Sequence, residues 1–310
     1  MNVAIIGARR SANGIGEHIA KYLHRSGARV VCVLGSTGET AALASEGLEK
    51  YGIAARPYHD LSEMLSREDL QAAAVCSPAG THRDFLRACL ERGLCVLCEK
   101  PFLDPGEGDI GGKLERIFSL ARSRGSIVAM NSQWPFSLVP YEKLCGPIVP
   151  SDVRTFSIRL SPICSGQAMI PDSLPHVLSI LHAALGKGAV SDESFSYREG
   201  CMQVRFGYAS AHGRCEVSVD LVQEKRQPRS FRFGFDGRIV RRSIEQESYA
   251  ISFHSGTESL RIPDPLESSV EDFVQACARK REPLIGRDHI FATTMLLKQI
   301  YNAYAVKERG

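Results

Sequence analysis

The sequence predicts an α/β chain in two parts: a doubly wound parallel sheet, then an α+β domain built on a large, mostly antiparallel sheet. Three observations carry this. Residues 1–131 alternate short, fully apolar runs with helical stretches, the pattern of strands covered on both faces by crossover helices. From about residue 151 the texture changes to long polar/apolar alternations, as in strands with one solvated or interface face. The length, 310 residues, suits about two domains.

In order, residues 2–6 form a first strand stopped by Gly7, and residues 16–25 carry Ile19, Ala20 and Leu23 at helical spacing. Residues 29–34 are β-branched and apolar as far as Gly35; a helix follows over about 38–50 and a weaker strand near 54–58. The run 72–76 closes at Ser77-Pro78, residues 81–92 are helical with Gly93 as C-cap, 94–98 is a strand, 107–124 a helix and 126–131 a sixth strand. In the second part a helix covers about 173–185. Alternations lie at 152–160, 195–206, 214–222, 229–235 and 248–253, with turns at His212-Gly213 and Asp236-Gly237. Helices over about 266–280 and 288–304 close the chain. The expected domains are 1–131 and 132–310.

The net charge of +3 is too balanced to point to nucleic acid or an anionic membrane. No apolar run approaches the ~18 residues of a membrane span. The N-terminus lacks a basic region and reads as a strand, so no signal peptide is expected. Ten cysteines are too dilute for a disulfide scaffold, and many sit in apolar runs as buried thiols do. The expectation is a cytoplasmic protein. Cys95 and Cys98 form a C-x-x-C, but strand positions three apart point to opposite faces, so both read as buried thiols.

Gly7, Gly14, Ile15 and Gly16 span the junction of the first strand and first helix, where backbone amides bind phosphate and glycines admit a pyrophosphate. The loop is longer than a G-x-G-x-x-G. The second strand ends in Gly35, Ser36 and Thr37, without the acid that binds a ribose 2′-hydroxyl. Small hydroxyls there, with Arg9 and Arg10 in the loop, favour a 2′-phosphate. The cofactor expected is therefore NAD(P), with NADP slightly preferred.

The most specific stretch is Ser77-Pro78-Ala-Gly-Thr81-His82, then Gly93, then Glu99-Lys100-Pro101. With Asn131-Ser-Gln133-Trp134, Asp172-Ser-Leu-Pro-His176, Leu266–Phe273 and Glu282-Pro283-Leu284, the chain resembles the glucose–fructose oxidoreductase / inositol dehydrogenase / MocA (Gfo/Idh/MocA) family along essentially its whole length. Gln133 stands where that family usually has arginine, and Leu174 where it has glycine.

A lysine just past a strand's C-terminal end lies at the crevice where open α/β sheets bind ligands, and Pro101 holds the preceding residue extended. Lys100 can there hydrogen-bond a substrate hydroxyl. Asp172 and His176, four apart, share a helix face, where a carboxylate orients an imidazole and favours its charged form. Pro175 places the helix start near 172–174.

The resemblance implies a Rossmann NAD(P)-binding domain followed by a substrate-binding and oligomerisation domain. It implies reversible hydride transfer to and from a secondary alcohol or ketone of a sugar-type substrate. Lys100, Asp172 and His176 are the expected catalytic residues. Gly7, Arg9, Arg10, Gly14, Ile15, Gly16, Ser36, Thr37, Ser77, Pro78, His82, Glu99, Lys100 and Asn131 would hold the cofactor. Lys100, Gln133, Trp134, Asp172 and His176 would hold the substrate, and no metal is expected.

The first choice of substrate is a nucleotide sugar such as UDP-N-acetylglucosamine, supported by the basic run Lys225-Arg226, Arg229, Arg232, Arg238, Arg241-Arg242, which is either a solvated sheet face or a source of phosphate ligands. The second is a free sugar or cyclitol. A homodimer or homotetramer through the C-terminal sheet is expected. A short-chain dehydrogenase is excluded, because none of the nine tyrosines has a lysine four residues on. A non-catalytic dinucleotide sensor would not need Lys100, Asp172 and His176 together.

Overall fold

The computed structural model describes residues 1–8, 14–245 and 247–307. The chain forms two compact units, Met1–Asn131 with Leu266–Ile290, and Ser132–Pro265 with Phe291–Gly310.

Residues up to Asn131 run β1 (Asn2–Ile6), α1 (Ile15–Arg25), β2 (Arg29–Leu34), α2 (Gly38–Glu49), β3 (Arg56–Tyr58), α3 (Leu61–Arg67), β4 (Ala72–Val75), α4 (Ala79–Glu91), β5 (Cys95–Glu99), α5 (Ile110–Arg124) and β6 (Val128–Asn131). The strands pair in parallel in the order β3-β2-β1-β4-β5-β6. This is the doubly wound Rossmann sheet, with its order reversing at the β1/β4 boundary. Helix α3 was not foreseen. Asp60 caps it by accepting the Glu63 amide at 2.7 Å, but only Met64 is buried, so no apolar period announces it.

The remainder runs α6 (Leu138–Cys145), β7 (Thr155–Leu160), α7 (Met169–Leu185), β8 (Gly188–Arg198), β9 (Cys201–Ser210), β10 (Gly213–Val222), β11 (Arg232–Phe235), β12 (Arg238–Ile244), β13 (Ile251–Ser255), β14 (Glu258–Ile262), α8 (Pro265–Arg279) and α9 (Arg287–Lys307). Eight strands form one sheet, β14-β13-β12-β11-β7-β10-β9-β8, antiparallel except for the β7/β10 pair. Its inner face carries Phe156, Ile158, Val204, Phe206, Val219, Phe233 and Phe253, packed in one core with Leu174, Val177, Leu178 and Leu181 of α7.

Three sequence expectations are corrected. The alternation over 195–206 is two strands. Glu199 and Gly200 both have positive φ, +46° and +80°, and form the tight turn between them. The parity of the buried residues changes there, from Phe195 to Met202, Val204 and Phe206. Helix α7 begins at Met169, not near 172–174, so Pro175 lies in its interior and withholds the amide that would bond the Pro171 carbonyl. Residues 266–290 belong with the first unit. Leu266, Val270 and Phe273, at helical spacing on α8, sit in the core of Val3, Ile5, Ile19 and Leu23. An apolar helical stripe tells that a helix is covered, not by which sheet.

All ten cysteines are free thiols. Cys98 is fully buried, and that burial pushes its thiol well up; Cys95 is half-buried and accepts the Ile127 amide at 3.4 Å. Among the described residues no group of three or more His, Cys, Asp or Glu side chains could hold a metal ion, and no helix is long and apolar enough to cross a membrane.

Candidate functional site

The chain leaves β1 through Gly7, whose φ is +86°. A Cβ added there would stand 2.9 Å from the Ser77 amide nitrogen, so the turns after β1 and β4 meet backbone to backbone where the strand order reverses. At Gly16 an added Cβ would stand 2.7 Å from Ala8 Cα, so α1 is seated against this turn. Gly14 is the N-cap of α1 and Ile15 its first residue, and a glycine N-cap brings no side chain to the helix amides. Helix amides and side-chain-free backbone at a switch point fit a dinucleotide pyrophosphate. Arg9 and Arg10 lie outside the described residues.

Gly7→Ala is expected to lower stability by about 1–3 kcal/mol through its positive φ, and to weaken dinucleotide binding. Thermal unfolding and calorimetric titration check both. An unchanged melting temperature would contradict the close packing of this turn.

After β2, Thr37 caps α2 in a reciprocal arrangement with Thr40. Its Oγ1 accepts the Thr40 amide at 3.1 Å, while the Thr37 amide donates to Thr40 Oγ1 at 2.9 Å. Ser36 Oγ is 3.4 Å from Thr40 Oγ1 and is exposed. This strand end is therefore a hydroxyl-rich helix N-terminus, a place that favours negative charge.

His82 is fully buried and explains the pairing of the Ser-Pro and Glu-Lys-Pro stretches. Its Nε2 lies 2.8 Å from the Ser77 carbonyl oxygen and its Nδ1 2.9 Å from that of Pro101. One ring thus ties the turn after β4 to the turn after β5 that carries Lys100. Both nitrogens face acceptors, and only a doubly protonated ring donates to both. His82 thereby fixes the backbone next to Lys100. Lys100 is half-buried, and its bond to Pro101 is cis. Pro78 is the exposed N-cap of α4. Thr81 Oγ1 lies 2.7 Å from Ser77 Oγ. Glu99 and Asn131 are cross-strand partners, and the Asn131 amide donates to the Glu99 carboxylate. Asn131 Oδ1 in turn accepts Ser269 Oγ at 3.0 Å. Ser269, brought in by α8, was missed by sequence reasoning because nothing in the sequence ties α8 to β6.

In the second unit, Asp172 and His176 are both half-buried, one helical turn apart on α7. Ser132, buried just after β6, was also missed. Its Oγ lies 3.1 Å from His176 Nδ1 and donates to the Pro175 carbonyl at 3.5 Å. The contact with Ser132 thus engages Nδ1 and orients the ring, and Nε2 is its other nitrogen.

Trp134 is 5% exposed. Its ring is stacked on Phe231, centroids 3.6 Å apart, and meets the His176 ring edge-on at 6.4 Å. Its face is therefore occupied, and it buttresses the histidine. Gln133 is half-buried beside it in sequence.

Residues 1–132 match the family model described as "Oxidoreductase family, NAD-binding Rossmann fold", that of Gfo/Idh/MocA. An inositol 2-dehydrogenase of Burkholderia cenocepacia is 34% identical over 110 residues, 35% of this chain and 31% of that protein. The match thus spans about a third of that relative's length. Among solved structures, UDP-N-acetylglucosamine 3-dehydrogenase GnnA from Acidithiobacillus ferrooxidans superposes with a TM-score of 0.71 at 16% identity, covering 98% of this chain and 97% of that one. KijD10, a 3-ketoreductase from Actinomadura kijaniata in complex with NADP, gives 0.72 at 17% identity, covering 97% of each. These two share the fold.

Proposed function

We propose, on the match of residues 1–132 to the Gfo/Idh/MocA family model, that the chain is an NAD(P)-dependent dehydrogenase acting on a CH–OH group of a sugar-type substrate. The observation that carries the reading is the meeting at the sheet's switch point of the Gly7 turn and Ser77, which His82 ties to Pro101 next to Lys100.

The amides of Gly14, Ile15 and Gly16 and the Gly7 turn would hold the pyrophosphate, and Ser36 and Thr37, with Arg9 or Arg10, would hold the adenosine ribose and its 2′-phosphate. Ser77, Pro78, Glu99, Lys100 and Asn131 would line the remainder. The nicotinamide, when bound, supplies a hydride acceptor or donor. Lys100 donates to the reacting hydroxyl and holds its carbon toward that acceptor. His176 takes the hydroxyl proton on oxidation and returns it on reduction, and Asp172 orients the imidazole or the substrate. Gln133 contacts the substrate and Trp134 backs the imidazole.

The first-choice substrate is a nucleotide sugar such as UDP-N-acetylglucosamine, supported by the shared fold of GnnA. The inositol dehydrogenase relatives favour a free sugar or cyclitol as the second reading. We place the protein in the cytoplasm as a homodimer or homotetramer. Arg159, Arg232 and Arg241 face one another in cross-strand register beside Asp220, a charged row suited to a partner copy.

A turnover screen of sugars and nucleotide sugars with NAD and NADP in parallel tests the reading, and the absence of any nucleotide reduction would overturn it. For the cofactor, the expected result is NADP bound at least as tightly as NAD. Ser36→Asp is expected to reverse the order by repelling the 2′-phosphate. Calorimetry showing a strong wild-type preference for NAD would overturn the NADP assignment.

A further inference from the structure

Proton transfer at His176 makes no use of a pair of arginines in the same unit. Arg242, on β12, has its guanidinium 5.2 Å from the Trp134 ring centre and 5.5 Å from that of Phe231. Those rings are only 3.6 Å apart, so a cation nearly equidistant from both borders the edges of the stack rather than covering a face. Ring edges are positive, so this position gives the cation little π-stabilisation.

Arg242 Nη2 donates to the Arg229 carbonyl at 2.7 Å. Burial draws the guanidinium down to about 10, Asp264 opposes that fall, and neighbouring Arg229 adds to it. Arg229 is half-buried, and its Nη1 reaches the Ser161 carbonyl at 3.5 Å. Its Nε is buried with no hydrogen-bond partner among the described residues. The acid of the same loop, Glu224, accepts the Ser230 amide at 2.9 Å and faces Arg159 at 3.5 Å. Two partly desolvated guanidiniums that repel each other, one with an unsatisfied N–H, form an arrangement that an anion completes. Arg242 stands one indole away from His176, since Trp134 meets His176 on one side and Arg242 on another.

We propose that Arg242 and Arg229 form an anion subsite, so that the sugar oxidised at His176 carries a carboxylate or a phosphate. This rests on the dehydrogenase reading above and narrows its substrate class. The planar guanidinium fork matches either anion, whereas a neutral cyclitol brings no opposite charge to it.

The test uses the whole protein, either nucleotide, and three sugars: myo-inositol, glucuronate and UDP-N-acetylglucosamine. One of the two anionic sugars is expected to exceed inositol in kcat/KM by about 10-fold or more, and which one it is identifies the group. Arg242→Gln and, separately, Arg229→Gln are expected to cut that kcat/KM by about 10- to 100-fold, mainly through KM, with inositol changed by less than about 3-fold. Arg229→Gln carries the test should Arg242→Gln fail to fold.

Calorimetric binding of the same three sugars reads the subsite apart from turnover. An anionic sugar that binds, loses affinity in the variants and is never oxidised would uphold the subsite and overturn the dehydrogenase reading. Three results overturn the subsite itself. They are inositol handled as well as the anionic sugars, equal losses for all three in the variants, and no binding of either anionic sugar.

Discussion

His176→Ala is expected to slow alcohol oxidation by roughly 10²–10⁴-fold, the usual worth of a positioned acid/base group, and to remove the acid limb of the pH–rate profile. The sign follows from the chemistry. Oxidation takes a hydride from carbon and a proton from oxygen, and only a neutral imidazole accepts that proton. The wild-type rate therefore falls as pH drops and the imidazole protonates; in the reducing direction the dependence reverses. Ser132 Oγ, 3.1 Å from Nδ1, holds the ring in place. Ser132→Ala should accordingly give a smaller loss with the limb retained, since it disturbs the orientation of the ring and not the base. Asp172→Asn should move the limb to lower pH, because a carboxylate one turn away favours the imidazolium. His182→Ala should leave the limb unchanged. An unaltered profile in His176→Ala, with binding intact, would remove His176 from the mechanism.

Lys100→Ala is expected to reduce kcat by on the order of 10²-fold or more while leaving NAD(P) affinity nearly intact. Its proposed task is holding the reacting hydroxyl, and misplacing a reacting group by about 1 Å costs a comparable factor. The His82 bridge makes the prediction sharper. His82 ties the Lys100 turn to the turn after β4, through the Pro101 carbonyl at 2.9 Å and the Ser77 carbonyl at 2.8 Å. His82→Ala should thus reproduce part of the kcat loss although the side chain is fully buried. Steady-state kinetics beside calorimetric titration of the dinucleotide separates the two effects. Normal turnover in Lys100→Ala would show that the Glu-Lys-Pro segment has no part in the reaction.

How much of this was legible beforehand depended on the range of the interactions involved. The six parallel strands and their crossover helices were readable from residues 1–131, because burial on both faces writes itself into a strand as an unbroken apolar run, as in Ala72–Val75. The glycine turn, the lysine past β5 and the Asp172/His176 spacing were readable for the same reason: each depends on a few neighbouring residues. Errors arose where a local pattern has two readings. Pro175 suggested a helix start yet lies inside α7, whose buried Met169 and Ile170 extend the apolar face backwards.

By itself, then, the sequence determined the fold class of both parts and the short motifs on which the proposed mechanism rests. Only the tertiary structure decided who partners those motifs. It joined Ser77 to Pro101 through His82, Ser132 to His176, and Ser269 of α8 to Asn131, 138 residues away. It also stacked Trp134, an expected substrate contact, on Phe231, with Arg242 at its edge. Such pairings are set by which buried surfaces and polar groups satisfy one another once the chain has folded. Propensity and periodicity report only that a group needs a partner, so its identity becomes visible only in three dimensions.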